Sequence, residues 1–205
     1  HNFQAVDFDG DGKLEVLVVS YEGVAVLKKG ADGKWNAKKI HEGDQGNPAK
    51  NRGASEIKLG KLKSGTRFIG TIEPWHGNQV VVYTPGKPNP EKAFSLDRHV
   101  IDEQLRWGHA VWFADLDGDK EEELIIGVRD DPNAKAGDKF TERRGVRVYK
   151  CTDGKGAKWE RTIIEDGGVA VEDLTAADLD GDGKMDIIAV GRATGNARIY
   201  WNQGK

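Results

Sequence analysis

A single cysteine, Cys151, is all the thiol in these 205 residues, so no internal disulfide holds the chain, and sulfur alone leaves the redox compartment open. Long apolar runs are missing too. Nothing approaches the roughly 18 residues a membrane-crossing helix needs, and no membrane insertion is expected. A surplus of one charge sign is also absent: the formal net charge is −3 and the basic residues are scattered among acids, which argues against a nucleic-acid partner. Nor is there a convincing helical period. The first residue is His1 rather than methionine and no signal peptide is seen, so the sequence reads as a mature fragment or a trimmed piece of a longer chain. Glycine, in contrast, is plentiful at 27 residues. It clusters with Asp and Asn between short β-branched runs, the pattern of many turns and many short strands.

Self-similarity organises the chain. "AVDFDGDGKLEVLVVS", "FADLDGDKEEELIIGV" and "AADLDGDGKMDIIAVG" align without a gap on Asp7, Asp115 and Asp178, and a fourth copy without the aspartates aligns on Leu59. Each unit continues as strand, Asp turn, strand, loop and third strand ("GVAVLKK", "NQVVVYT", "GVRVYKC", "NARIYWN"). In three of them a fourth strand follows, with Trp35 and Trp159 at matching places. Four antiparallel strands per repeat predict an all-β chain, a β-propeller of about four blades at 1–51, 52–105, 106–170 and 171–205 in one domain. A sandwich does not repeat one supersecondary unit in this way. The last unit stops after its third strand, which suggests part of a larger ring, with self-association to complete it or a compact four-bladed closure as the alternatives.

The turn D-x-D-G-D-G-x-x-[DE] offers side-chain oxygens at positions 1, 3, 5 and 9 and a backbone carbonyl at position 7. That donor set suits a hard cation, Ca²⁺ better than Mg²⁺. The expected ligands are Asp7, Asp9, Asp11, the Lys13 carbonyl and Glu15 in the first turn, and Asp178, Asp180, Asp182, the Lys184 carbonyl and Asp186 in the last. The middle turn supplies Asp115, Asp117, Asp119, Glu121 and Glu123, with Lys120 where the others have Gly12 and Gly183, so a strained or altered turn is expected there. In the second unit Lys61 and Lys63 fall near the ligand positions, where an ammonium stands in for the cation or the loop is simply solvated. An EF-hand is excluded because position 12 holds Val18, Ile126 or Ala189 and a strand follows. Two or three structural calcium ions are thus expected. The alternative is Asp-rich turn chemistry without a metal.

These turns and their period resemble FG-GAP or VCBS repeats, calcium-bearing propeller units found in extracellular proteins. The resemblance implies the fold and says little about function, since such propellers serve as adhesins, lectins and lyases.

A second group of residues falls at the opposite rim. Six residues before each anchor come His1, Gly53, His109 and Glu172, with Trp107 and Asp173 close by. The loops between second and third strands return there with Trp75 and His76, with the long "RDDPNAKAGDKFTERRG" that starts at Arg129, and with Arg192 and Asn196. Three readings remain open. As an enzyme site, histidine moves protons, Arg129 and Arg192 stabilise a forming enolate or carboxylate, and His109, His1 and Glu172 form a two-histidine, one-carboxylate set for zinc or another divalent metal. As a binding site, Trp75 and Trp107 are stacking platforms for a carbohydrate. As ordinary surface, the aromatics pack blades and the charges are solvated.

The wording "EPWHGNQVVVY", "RWGHAVW", "GGVAVEDLTAADLDGDG" and "GRATGNARIYWN" further resembles the propeller domain of aldos-2-ulose dehydratases and related VCBS proteins. That likeness implies dehydration, by β-elimination, of keto- or anhydro-sugars. It makes His109 or His76 the proton-abstracting base, Arg192 and a metal the carriers of enolate charge, and Glu172, Asp173 and Asn196 part of the same site. The alternative is a non-catalytic glycan-binding or adhesion module. Calcium turns of this kind work near millimolar free ion, so a periplasmic or extracellular location is expected.

Overall fold

The computed structural model describes residues 2–48, 51–89, 94–129 and 144–204. Among them are fifteen strands and no helix, arranged as four antiparallel meanders in chain order. The first sheet holds β1 (Phe3–Val6), β2 (Glu15–Ser20), β3 (Gly23–Lys29) and β4 (Trp35–His41). The second holds β5 (Glu56–Lys61), β6 (Arg67–Glu73), β7 (Gln79–Pro85) and β8 (Leu96–Asp102). The third holds β9 (Gly108–Ala114), β10 (Glu123–Val128), β11 (Gly145–Cys151) and β12 (Trp159–Asp166), and the fourth β13 (Val171–Ala177), β14 (Asp186–Gly191) and β15 (Asn196–Tyr200). The first strands pack in sequence, β1 on β5, β5 on β9 and β9 on β13, so the sheets fan around an axis as propeller blades.

Burial follows from each sheet's place in the fan. The two middle sheets are covered on both faces, and their central strands are nearly continuous apolar runs: every residue of β10, "ELIIGV", is buried. β2, "EVLVVS", alternates buried and half-buried positions because the first sheet is covered on one face only. Three apolar layers result. Leu17, Val19 and Val26 meet Ile57, Ile69 and Val81; Phe68, Ile72 and Val82 meet Phe113, Leu124 and Ile126; Ile125 and Val146 meet Val171, Leu174 and Ile187. Close approach in the middle layer requires glycine. A Cβ on Gly70 would lie 2.6 Å from Phe113 Cζ and one on Gly60 2.8 Å from Phe113 Cδ1, so the ring seats on bare backbone. On the outer faces Phe3, Val190, Ile199 and Trp201 are exposed.

A polar clasp recurs between sheets. Tyr149 of β11 donates to Asp102 Oδ2 at the end of β8 (2.7 Å), and Arg161 of β12 reaches the same oxygen at 3.0 Å. Tyr200 and Arg198 hold Glu165 of the third sheet in the same way, at 3.1 and 2.8 Å. Tyr83 lies 3.2 Å from His41 Nδ1 of the first sheet and donates to Glu73. Burial and then the facing carboxylate raise the phenol pKa of Tyr149, so it stays a donor. Removing that hydroxyl by Tyr149→Phe leaves Asp102 buried with one partner fewer and is expected to lower stability by about 1.5–3 kcal/mol, measured from urea midpoints. An unchanged midpoint would remove the clasp from the account of sheet docking.

Candidate functional site

Two β-bulges build the rim. In the β9–β10 ladder Ala110 faces Gly127 and Gly108 faces Val128, so His109 is the extra residue. In the β13–β14 ladder Asp173 faces Val190 and Val171 faces Gly191, so Glu172 is the extra residue at the matching place. A bulge releases its residue from the alternation of the strand and re-aims the side chain. Here it brings His109 Nδ1 within 2.7 Å of the Glu172 carbonyl and His109 Nε2 to 4.0 Å from the Glu172 carboxylate.

Arg129 joins the pieces. Its N–H donates to the Trp107 carbonyl (2.9 Å), its guanidinium lies 5.6 Å from the Trp107 ring, Nη1 is 3.1 Å from both Glu172 carboxylate oxygens, and Nη2 is 3.2 Å from His76 Nδ1. Arg192 approaches Glu172 from the solvent side at 3.5 Å. The rings of His76 and His109 are 4.8 Å apart, and Trp75 stacks on His76 at 5.2 Å. A cleft of about 380 Å³ opens beside them, lined by Trp75, His76, Trp107, Leu105, Asn47 and Asn78. Three non-glycine residues among those described have positive φ, and two of them are His76 (47°) and Trp107 (60°). Side chains resist this left-handed region, and such strain gathers at functional sites. The third is Lys120 (72°), the strained turn expected from its missing glycine. The loop carrying His76 is anchored by Glu73, fully buried, which accepts from Thr71, Tyr83 and Arg98.

The hydrogen bonds assign the two imidazoles opposite tautomers. A carbonyl accepts from His109 Nδ1–H, which leaves Nε2 as the basic nitrogen; a guanidinium donates to His76 Nδ1, which leaves Nε2–H as a donor. Burial first, then the positive charge of His109 when protonated and of Arg129, lowers the His76 pKa to about 4. Burial also lowers that of His109, against the raising effect of the Glu172 carbonyl. Both rings are therefore neutral near pH 7.

Other rim candidates separate from this cluster. Asp173 is exposed, and its carboxylate couples to Glu56 and Lys58. Asn196 spends its amide on the Gly168 carbonyl (2.9 Å) and accepts from Thr194. His1 and most of the loop after Arg129 lie outside the described residues. For a rim zinc ion, Arg129 and Arg192 already hold the Glu172 carboxylate, and two guanidiniums oppose a second cation there. Sequence reasoning missed Glu56, close to Asn2, whose carboxyl burial raises to about 7. Its only signal was an acid at the start of an inward strand.

At the opposite end, three groups of carboxylates come within ligand reach: Asp7, Asp9 and Glu15; Asp115, Asp117 and Glu123; Asp178, Asp180 and Asp186. Position 1 folds each turn, since Asp7 accepts from the Gly10 and Gly12 amides and Asp178 from those of Gly181 and Gly183. Asp11 and Asp182 accept from the Lys13 and Lys184 amides. Glu121 stands at position 7, where the expected donor is the backbone carbonyl, and its carboxylate accepts from the Lys63 amide of the second sheet (3.2 Å). In the second sheet Lys61 and Lys63 dock through backbone amides; ammonium groups that reach turn carboxylates belong to Lys28, Lys150 and Lys184. A larger cavity of about 840 Å³ lies between the first two sheets, lined by Phe8, Arg67, Tyr83, Phe94 and Leu96, and holds no histidine among its described lining.

The proteins this chain resembles are sugar-related. A family model for the β-propeller domain of aldos-2-ulose dehydratase matches residues 1–86. Aldos-2-ulose dehydratase of Phanerodontia chrysosporium is 28% identical over 177 residues, and the match covers 78% of this chain and 18% of that protein. Among solved structures, an Agrocybe aegerita lectin that recognises non-reducing terminal N-acetylglucosamine superposes with a TM-score of 0.57 at 19% identity, over 98% of this chain and 48% of the lectin. That likeness supports the propeller fold.

The His76 assignment has a sign. Between about pH 4 and the ordinary 6.5 the unfolded chain binds more protons at this residue than the folded one, so acidification across that window destabilises the fold. Glu56 acts oppositely, between the ordinary 4.5 and about 7, so the overall pH profile blends both. A site-resolved NMR titration of the His76 ring should show a midpoint near 4; a midpoint at 6.5 would reject the buried, guanidinium-paired ring.

Proposed function

We propose that the rim is a sugar-processing site and that the reaction is β-elimination of water from a keto- or anhydro-sugar. The observation that carries this reading is the pair of opposed imidazole tautomers held 4.8 Å apart beside a tryptophan-lined cleft. A sugar ring stacks against Trp75 or Trp107. His109 Nε2 takes the proton from the carbon beside the carbonyl. His76 Nε2–H and the guanidiniums of Arg129 and Arg192 receive the negative charge that develops on the enolate oxygen. The β-hydroxyl then departs as water, taking the proton back from His109, while Glu172 steadies the imidazolium in the interval. His109 is preferred as base because its Nδ1–H is spent on the Glu172 carbonyl and leaves Nε2 as the accepting nitrogen, whereas the accepting nitrogen of His76 already takes the Arg129 guanidinium. The dehydratase relative supports the choice of chemistry. Because this chain spans 18% of that protein, the activity is proposed for this site and is not inherited from the whole.

A second reading has its own support in the cleft: Trp75, His76 and Trp107 offer stacking faces for a glycan bound without chemistry. The two readings part on His109→Ala. Dehydration predicts at least 100-fold slower formation of the ultraviolet-absorbing unsaturated product from a 2-keto or 1,5-anhydro sugar, with thermal stability kept. Wild-type protein that binds glycan saturably, loses it on Trp75→Ala and forms no such product supports the binding module instead.

The aspartate turns are proposed to hold structural calcium, as in FG-GAP or VCBS repeats. Support comes from the repeated 1, 3, 5, 9 oxygen spacing and the convergence of positions 1, 3 and 9 in all three turns. Such an ion neutralises crowded carboxylates and pins each hairpin. On this reading the working environment holds near-millimolar calcium, as outside the cytoplasm. If calcium is present at about 100 times its dissociation constant, it stabilises by about 2.7 kcal/mol and raises the melting temperature by about 5–10 °C over a chelated sample. Coincident melts with calcium and with chelator would dismiss the structural ion.

A further inference from the structure

The three aspartate turns differ at position 9, the ligand position that belongs to a strand. Glu15 and Glu123 begin β2 and β10, and the Oε2 of each accepts from the position-2 amide of its own turn, Phe8 N–H at 2.9 Å and Leu116 N–H at 2.8 Å. The other oxygen is orphaned. Both side chains are buried, 2% and 5% exposed, and their Oε1 atoms accept no hydrogen bond. Glu15 comes within 4.8 Å of ligand oxygens of Asp7 and Asp9, and Glu123 of Asp115 and Asp117. A buried carboxylate oxygen without a donor is destabilising, and a cation among these acids would satisfy it.

Aspartate at position 9 closes the fourth-sheet turn. Asp186 is one methylene shorter, and the backbone takes both its oxygens: Leu179 N–H donates to Oδ2 at 3.1 Å and Asn202 N–H to Oδ1 at 2.8 Å. Asn202 is itself held by its side-chain amide on the Leu116 carbonyl of the third sheet (2.7 Å), so this closure is part of sheet docking. Asp178 and Asp180 are exposed, and Lys184 pairs with Asp182 from within the turn at 2.6 Å. The corresponding turn of the second sheet, 59–67, carries no acid. Its position 9 is Arg67, whose guanidinium donates to the Asp7 carbonyl at 2.6 Å and stays 3.7 Å from the Asp7 carboxylate, bracing the first turn from outside.

Lys28 and Lys150 stand over the first and third turns without completing them. Lys28 Nζ lies 2.5 Å from Asp9 Oδ2 and 2.8 Å from Asp11 Oδ2, yet 3.5 Å from the orphaned Glu15 oxygen. Lys150 Nζ lies 2.5 Å from Asp117 Oδ2 and 3.0 Å from Asp119 Oδ2, yet 3.4 Å from that of Glu123. Both lysine side chains are 42% exposed, so each has a path into solvent. We propose that the first and third turns each load a divalent cation, with Oε1 of Glu15 or Glu123 as the inward ligand and the lysine displaced outward, while the fourth-sheet turn, held by its own amides, takes none. This rests on the calcium reading of the turns given above. An ammonium has three N–H donors, whereas Ca²⁺ takes six to eight oxygens and reaches what the lysine leaves unmet. Glutamate at position 9 thus marks a turn that loads, and aspartate one that is closed.

Calcium titration by calorimetry on the intact chain counts the sites. Wild type is expected to bind two ions, Glu15→Gln and Glu123→Gln one each, and Asp186→Asn still two. A wild-type count of one or three, a count of two in either glutamine variant, or an ion lost on Asp186→Asn overturns the proposal and leaves the calcium reading standing. A wild-type count of zero overturns both. Should a glutamine variant not fold, the wild type decides alone: in a backbone-amide NMR titration calcium is expected to shift the Gly12 and Lys120 resonances and leave Gly183 in place. A shift at Gly183, or none at Gly12 or Lys120, overturns the proposal.

Discussion

The burial of both faces of the second and third sheets is the constraint from which the rest of the architecture follows. A sheet covered on both sides must seat its neighbours close, and Phe113 lying on the bare backbone of Gly60 and Gly70 shows how close. Once the sheets are locked face to face, their register relative to the axis is fixed, because a slip of one residue would turn Leu124 and Ile126 out of one layer and Ile125 out of the other. The clasps of Tyr149 on Asp102 and Tyr200 on Glu165 add a directional lock to the apolar one. Equivalent positions on successive sheets are therefore brought to equivalent heights, and chemistry written at one offset in the repeat gathers at one end of the molecule.

That gathering has opposite electrostatic outcomes at the two ends. At the turns, carboxylates outnumber cations, and the response is neutralisation: backbone amides at position 1, ammonium groups over positions 3, 5 and 9. At the rim, Arg129 and Arg192 converge on one carboxylate, so positive charge is in excess beside two imidazoles. Excess positive charge and burial keep the rings neutral, and neutral imidazole is the form that both donates and accepts. The turn carboxylates are only partly met within the chain, since a buried oxygen of Glu15 and one of Glu123 accept no hydrogen bond, whereas at the rim the guanidiniums outnumber the carboxylate they hold.

Much of this was legible in the sequence because the repeat is regular where packing dictates it. The alignment on Asp7, Leu59, Asp115 and Asp178 yields the strands and their order, since alternation and turn chemistry are local properties. The offset of six residues picks out His109 and Glu172, and they do meet. What the pattern could not carry were departures from it. The bulges at His109 and Glu172 are invisible to a spacing argument, yet without them both side chains would follow ordinary strand alternation. The carboxylate of Glu121, at position 7 of its turn, serves an adjacent sheet, a contact the spacing could not show. The approach of Lys28 and Lys150 to the turns is a cross-strand relation that the spacing does not reveal. Asn196 and Asp173 share the rim by offset and not by contact.

The bulges also explain why a rigid scaffold can support a strained site. His76 and Trp107 hold left-handed backbone conformations that cost on the order of 1–3 kcal/mol each, more than a free loop would tolerate. The strain persists because both ends of each segment are held. The loop of His76 grows from Glu73, buried and bonded to Tyr83, Thr71 and Arg98. Trp107 is fixed by the Arg129 amide on its carbonyl and by Gly108, whose N–H donates to the Gly77 carbonyl at 3.0 Å. Those anchors belong to the second and third sheets, the two that are buried on both faces. The most strained residues of the rim are thus tied to the best-packed part of the fold, which is where a fixed imidazole geometry can be kept.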